Sequence, residues 1–239
     1  MIILKLLGLI GGMSWENTIE YYRIINELIK EKLGSWNSAK LILYSVNFEE
    51  ILSLENKDRW SEIVLIMTNI SRNLENAGCE ALMLCSNTMH KIADDLQNNI
   101  SIPIINVVYE TALIIKELKL KKVGLLGTKF TMEGDFYSKK LEEKYNISVI
   151  IPGKEDRDYI HSVIYNELAQ NNLFDTTKQS LLRIIDKLKS QGAEGIILGC
   201  TEIPLLIKPE DLELPLFDTL KIHLNAAAQF ILKAEITNF

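Results

Sequence analysis

Several things are scarce in these 239 residues, and each scarcity excludes something. There are three cysteines, Cys79, Cys85 and Cys200. So odd and small a number makes no disulfide framework and points to a reducing, cytoplasmic setting. The three histidines, His90, His161 and His223, are scattered, and none stands at metal-ligand spacing from another His or a Cys, so no metal site is expected. Basic residues are outnumbered, with 26 Lys and Arg against 32 Asp and Glu, a net charge of −6. Without a basic excess or a long single-sign run, neither nucleic acid nor an anionic membrane surface is an expected partner. No stretch approaches the roughly 20 apolar residues of a membrane helix. The apolar start, Met1 to Leu7, lacks the basic n-region and small-residue cleavage site of a signal peptide. Lys5 interrupts it and Gly8 follows, so a buried first strand is expected there.

What is abundant is apolar content, at 47%, enough for one large domain or two small ones. Short apolar runs alternate with longer amphipathic ones. Strands are expected at Ile3–Ile10, Leu41–Val46, Ala81–Cys85, Ile104–Val107, Val123–Leu126, Ile147–Ile151, Ile196–Leu198 and Leu216–Phe217. Helices are expected over 15–33, 58–77, 88–98, 109–119, 131–144, 156–170, 174–191 and 219–235. Continuously apolar strands separated by helices mean parallel sheet covered on both faces, an α/β fold.

The chain also echoes itself. Gly8-Leu9-Ile10-Gly11-Gly12 resembles Gly124-Leu125-Leu126-Gly127-Thr128, at an offset of 116 residues. Ala81 to Thr88 resembles Gly195 to Glu202, with Ser86 and Cys200 separated by 114. Two copies of one unit at nearly one offset suggest a duplication giving two pseudo-symmetric lobes, each a parallel sheet flanked by helices. The expected lobes are 1–107 with 218–239, and 108–217. Ligands of such folds bind at the carboxyl ends of the strands, so a site is expected in a cleft where Ser86 and Cys200 serve one ligand.

Gly199-Cys200-Thr201-Glu202 follows an apolar strand and opens a turn of helix, where N–H groups would lower the thiol pKa. Ser86-Asn87-Thr88 breaks an apolar run at the equivalent turn and is suited to capping a helix, gripping a carboxylate, or both. Cys85 is expected to face a covering helix and Cys79 to be structural. Gly8 to Ser14 is a strand–turn–helix entry without the residues of a P-loop or a dinucleotide fingerprint. His90 reads as a helix-face histidine, and His161 as a weaker candidate for the site.

Taken together, Gly11-Gly12-Met13-Ser14-Trp15-Glu16, Ser45-Val46-Asn47-Phe48, Leu84 to His90, Gly124 to Thr128, Phe130-Thr131-Met132, His161 to Leu168 and Gly199 to Ile203 resemble the aspartate/glutamate racemase family, which is independent of pyridoxal phosphate. The resemblance implies a two-lobed, cofactor-free, homodimeric amino-acid racemase with two cysteines flanking the substrate α-carbon. One, as thiolate, removes the α-proton, and the other returns a proton to the opposite face. Carried over by position, Cys200 is the second cysteine. Asn87, Thr88 and Met89 hold the α-carboxylate, Met13 and Thr201 belong to the substrate-binding set, and Glu55 and Gln170 fall where the substrate side chain is contacted.

Four positions depart from the family pattern. Ser86 stands where the first cysteine is expected, and a hydroxyl cannot rest as an anion near neutral pH. The implied enzyme is asymmetric, or exchanges the α-proton without inverting. Glu55 replaces a neutral amide and Gln170 a lysine, which together favour a substrate with a neutral or basic side chain over Asp or Glu. Asn47 replaces an aspartate. Relatives with one active cysteine decarboxylate or isomerise dicarboxylates, and a binding protein that kept the cleft without the chemistry is a further alternative.

Overall fold

The computed structural model describes residues 3–233. Its strands are β1 (Leu7–Gly11), β2 (Leu41–Ser45), β3 (Ala81–Leu84), β4 (Ile104–Ile105), β5 (Lys122–Leu126), β6 (Ser148–Ile150), β7 (Ile196–Leu198) and β8 (Leu216–Asp218). The helices are α1 (Trp15–Leu33), α2 (Phe48–Asn56), α3 (Trp60–Asn76), α4 (Ala93–Gln97), α5 (Val107–Glu117), α6 (Lys129–Glu133), α7 (Asp135–Tyr145), α8 (Lys154–Asn166), α9 (Asp175–Ser190), α10 (Ile203–Leu206) and α11 (Thr219–Leu232).

The strands form two four-stranded parallel sheets, ordered β2-β1-β3-β4 and β6-β5-β7-β8. The second order repeats the first, element for element, so the fold is α/β with two pseudo-symmetric sheets. β1, β3 and β7 are buried along their whole length, which is why they read as unbroken apolar runs. The chain divides into two compact units after Asn106 and again after Ile222, inside α11. One core gathers Ile10, Met67, Leu82, Leu84 and Met89 in the first unit. The other gathers Leu125, Leu126, Ile185, Ile197 and Leu198 in the second.

Several expected boundaries shift. The first strand starts at Leu7, not Ile3, and Ile3 is exposed. α2 was not expected at all. Asn47 explains its start: the side-chain Oδ1 accepts from Glu49 N at 3.3 Å and caps the helix. The segment expected as one helix over 131–144 is two, parted at Gly134, where an added Cβ would stand 2.8 Å from the Phe136 ring. The helix expected over 88–98 begins as a 3-10 turn, Thr88–Ile92, before α4. Met1 and Ile2, and residues 234 and 235 of the expected last helix, lie outside the described residues.

Candidate functional site

In each unit the candidate residues sit where the two central strands of a sheet run out. In the first, β1 ends in Gly11-Gly12 and β3 in Cys85-Ser86. The two ends are tied together: Cys85 N donates to Ile10 O at 2.9 Å, and Asn17 Nδ2 donates to Cys85 O at 3.0 Å. The glycine turn is held by Thr18, whose Oγ1 accepts from Gly12 N and donates to Ser14 O, both at 2.8 Å. Ser14 caps α1 by accepting from Asn17 N. Asn17 Oδ1 is buried beside this turn with no hydrogen-bond partner among the described residues.

Ser86 is half-buried, and its carbonyl accepts from His90 Nδ1 at 2.9 Å. His90 lies in the 3-10 turn Thr88–Ile92. It is fully buried and packs edge-on against His223, with ring centroids 5.3 Å apart. His223 Nε2 lies 2.7 Å from Ile105 O, and Nδ1 lies 3.0 Å from the Tyr21 hydroxyl. A carbonyl only accepts, so Nε2 carries the proton and Nδ1 accepts from Tyr21. Burial first, then the neighbouring His90, lowers the His223 pKa to about 3 against the pull of Ile105 O, and the ring is neutral.

The predicted ligand-gripping residues behave differently from one another. Asn87 is buried at the head of the 3-10 turn and makes no capping bond to it, so the capping role expected of this stretch is not realised by Asn87. Thr88 is half-buried. Met89 is fully buried in the core, main chain and side chain alike. Met13 is buried in the glycine turn. Glu55, on α2, is buried too. Burial raises its pKa to about 7, against the opposing charge of Lys91. Lys91 in turn lies over the Trp60 ring at 3.9 Å. Cys85 and Cys79 are core residues, as expected, and burial pushes both thiols up.

In the second unit, β5 ends in Gly127-Thr128 and β7 in Gly199-Cys200. Gly199 N donates to Leu126 O at 2.6 Å, and a Cβ at Gly199 would stand 3.0 Å from that oxygen, so the strand ends need a glycine to meet. Thr128 caps α6 by accepting from Thr131 N. Lys129 N donates to His161 Nδ1 at 3.3 Å, which places His161 at the end of β5. Burial, then Lys129, lowers its pKa.

Cys200 departs most from expectation. The helix it opens, α10, is a single turn, and the Cys200 Sγ–H donates to Glu202 Oε2 at 2.8 Å. The Thr201 hydroxyl donates to the same oxygen at 2.9 Å. Burial, then the charge and hydrogen bond of Glu202, push the thiol well above its ordinary value, and the main-chain N–H groups of Glu202 and Thr201 only partly offset this. The expected lowering by a helix N-terminus is thus overturned, because the sulfur is buried and the half-buried Glu202 carboxyl stands 2.8 Å from it. Gln170 is exposed, in a 3-10 turn after α8.

Met13, Ser86, Asn87, Thr88 and Met89 thus lie beyond the strand ends of the first unit, with Glu55 apart on α2, and Cys200 and Thr201 at those of the second, with Gln170 apart after α8. Sequence reasoning missed Glu202, Asn17, Tyr21 and His223 as parts of these two strand-end assemblies. The one available signal was the acid two residues beyond Cys200. Among the described residues no helix is long and apolar enough to cross a membrane, and no three His, Cys, Asp or Glu side chains cluster as a metal site.

Comparison with known proteins places this arrangement. The family model described as Asp/Glu/hydantoin racemase matches residues 10–227. A crystal structure of a Yersinia pestis protein assigned as an Asp/Glu racemase is 46% identical, with a TM-score of 0.92, over 96% of this chain and 100% of that one. An aspartate racemase homologue from Pyrococcus horikoshii is 37% identical, with a TM-score of 0.84, over 95% and 99%. A broad specificity amino-acid racemase of Bacillus subtilis is 24% identical over 90% of this chain and 92% of its own length.

Proposed function

The chain belongs to the Asp/Glu/hydantoin racemase family as an amino-acid racemase of that superfamily, and from there we propose that it exchanges the α-proton of an amino acid, without cofactor, through the Cys200 thiol.

Support comes chiefly from the Cys200–Glu202 contact. A buried thiol that donates to a carboxyl at 2.8 Å has a proton acceptor already in place. Glu202 takes the thiol proton, and the sulfur then takes the substrate's α-proton. The C–H bond breaks, an S–H bond forms, and the electron pair left on carbon spreads into the carboxylate. Asn87 and the Thr88 hydroxyl donate to that carboxylate and stabilise the developing charge, with Met13, Met89 and Thr201 completing the binding set. Return of the proton from sulfur gives exchange, and delivery to the opposite face gives inversion.

Ser86 is the counterpart of Cys200 in the other repeat. A hydroxyl is a far weaker acid than a thiol. We read the enzyme as asymmetric, with exchange outrunning inversion. Glu55 and Gln170 are assigned to the substrate side chain. With its pKa at about 7, Glu55 is a partly protonated acid near neutrality, which accommodates a neutral or basic side chain better than a second carboxylate. Family membership supports a homodimer, and the three buried free thiols suit a reducing cytoplasm.

The test is proton NMR of L- and D-amino acids in deuterated buffer, beside a chiral assay. Loss of the α-proton signal that disappears with Cys200→Ala is expected. Full exchange by Cys200→Ala would overturn the assignment. A second reading is favoured by one observation: a thiol held protonated is a ready proton donor, as a one-cysteine decarboxylase needs. Carbon dioxide release from a dicarboxylate with a single-enantiomer product, and no exchange on amino acids, would select it.

A further inference from the structure

His161 belongs to α8, yet it is held at the end of β5. Lys129 N, at the start of α6, donates to its Nδ1 at 3.3 Å. One turn earlier on α8, two ion pairs join that helix to α6. Lys129 Nζ lies 2.5 Å from Asp158 Oδ1, and Arg157 Nε lies 2.8 Å from Glu133 Oε1. The imidazole stands 4.8 Å from the Tyr165 ring and 6.4 Å from the Phe130 ring, centroid to centroid. A ring fixed by a hydrogen bond, between two aromatic neighbours and on two tethered helices, is a preorganised group.

The bond from Lys129 N also settles the tautomer. A ring nitrogen that accepts carries no proton, so the neutral ring keeps its proton on Nε2. Burial, then the charge of Lys129, lowers the pKa against the pull of Asp158 and Glu133, and the ring is neutral near pH 7. The Nε2–H has no hydrogen-bond partner among the described residues, and His161 is only half-buried. A fixed donor is therefore left open. β5 pairs with β7, Leu126 opposite Leu198, so His161 and Cys200 follow neighbouring strand ends of one sheet.

We propose that His161 is a specificity-determining residue, whose Nε2–H donates to a neutral oxygen, carboxamide or hydroxyl, on the side chain of the substrate amino acid. This rests on the racemase reading, in which Cys200 meets the α-carbon while Asn87 and Thr88 take the α-carboxylate. The tautomer selects a neutral acceptor. A carboxylate at Nε2 would favour the imidazolium, which carries a proton on both nitrogens. Nδ1 could then no longer accept from Lys129 N, and the bond that holds the ring would be lost. A neutral oxygen takes the hydrogen bond and leaves the protonation unchanged. A side chain without oxygen leaves the donor unpaired, a difference that sites built to hydrogen-bond their substrate discriminate well.

NMR of the full-length protein carrying isotope-labelled histidine tests it. The His161 proton is expected on Nε2. L-glutamine, L-asparagine or L-serine should shift that N–H signal, while L-alanine and L-leucine leave it in place. In the α-proton exchange assay, His161→Phe keeps a ring between Tyr165 and Phe130 but lacks the donor. Its KM for the responding amino acid should rise about 2–10-fold with kcat unchanged. The wild-type signal decides the matter if that variant fails to fold. Exchange with the Nε2 signal unmoved, or moved as far by L-alanine, overturns the proposal and leaves the racemase reading standing, as does an unchanged KM in a folded His161→Phe. A signal moved by the oxygen-bearing amino acids without any exchange upholds the His161 contact and overturns the racemase reading. A wild type that shows neither response overturns both.

Discussion

Cys200 donates its thiol hydrogen to Glu202. Its Oε2 accepts from the thiol at 2.8 Å and from the Thr201 hydroxyl at 2.9 Å, two donors converging on one oxygen. The sulfur is buried, and burial and Glu202 both favour the neutral thiol.

Replacing that carboxyl by an amide should therefore move the thiol and the activity in opposite directions. Glu202→Gln removes the charge that opposes a thiolate, so the pH midpoint for alkylation of Cys200, read by mass spectrometry of the labelled peptide, should fall. The same change removes the proton acceptor, and general acid–base groups contribute about 10²–10⁴-fold. Exchange of the α-proton should drop by at least about tenfold. A variant that keeps its exchange rate would show Glu202 to be a positioning group only.

Ser86 offers the reciprocal experiment. A thiol titrates near 8.5, within reach of catalysis, where a hydroxyl does not. Ser86→Cys should raise inversion relative to exchange, on the order of tenfold, with little change in the exchange proposed for Cys200. The ratio comes from a chiral assay and NMR run on one sample. An unchanged ratio would remove Ser86 from the reaction.

Much of this arrangement was readable in the chain. Apolar runs ending in Cys85-Ser86 and Gly199-Cys200, at one offset, foretold twin sheets with matching turns, because strands buried on both faces leave no other pattern. The rest depended on conformation or distance. α2 has nine residues, too few to announce a period, and its start lay in Asn47, whose capping role appears only once the chain turns there. The meeting of Cys200 with Glu202 depends on a turn that sequence spacing does not specify. Tyr21, His90 and His223 lie far apart along the chain, and nothing local marks them as one buried group.

That group carries an acid sensitivity. The His223 pKa falls from about 6.5 to about 3 on folding, so below 6.5 the unfolded chain binds a proton that the folded one refuses. Its contribution is whole above 6.5 and is lost as pH falls toward 3, at up to about 1.4 kcal/mol per pH unit. The groups facing it are His90, Tyr21 and the Ile105 carbonyl. Urea midpoints between pH 7 and 4.5 should fall more steeply for wild type than for His223→Gln, which keeps a donor for Ile105 O. Tyr21→Phe, which leaves Nδ1 without its donor, should cost about 1–2 kcal/mol at pH 7.

Glu55 gives the opposite slope. Its pKa rises from 4.5 to about 7 on folding. Between those values the folded chain holds a proton that the unfolded chain has released, so its contribution is whole below 4.5 and is lost as pH climbs through 7. Glu55→Gln removes the titration and should raise stability at pH 8 by up to about 3 kcal/mol relative to wild type, with little change at pH 4.5. Denaturant midpoints at the two pH values decide it. An equal shift at both would mean that the amide changes packing, not charge.

Gly12 and Gly78 separate two reasons for a glycine. Both have φ of +92°, a conformation costly to any residue with a Cβ. Around Gly78 a Cβ would meet nothing within 4 Å. At Gly12 it would run into the Val46 carbonyl oxygen and stand 2.7 Å from the Val46 nitrogen, main chain that Gly11 already holds through a hydrogen bond at 3.0 Å. Gly78→Ala should therefore cost only the conformational strain, about 1–2 kcal/mol by thermal or urea unfolding. Gly12→Ala adds a backbone collision that no rotamer relieves, and should lose more than about 3 kcal/mol or fail to fold. If the two variants are equally stable, the turn between β1 and α1 can move away from Val46. Gly12 would then be free to serve a ligand instead of the fold.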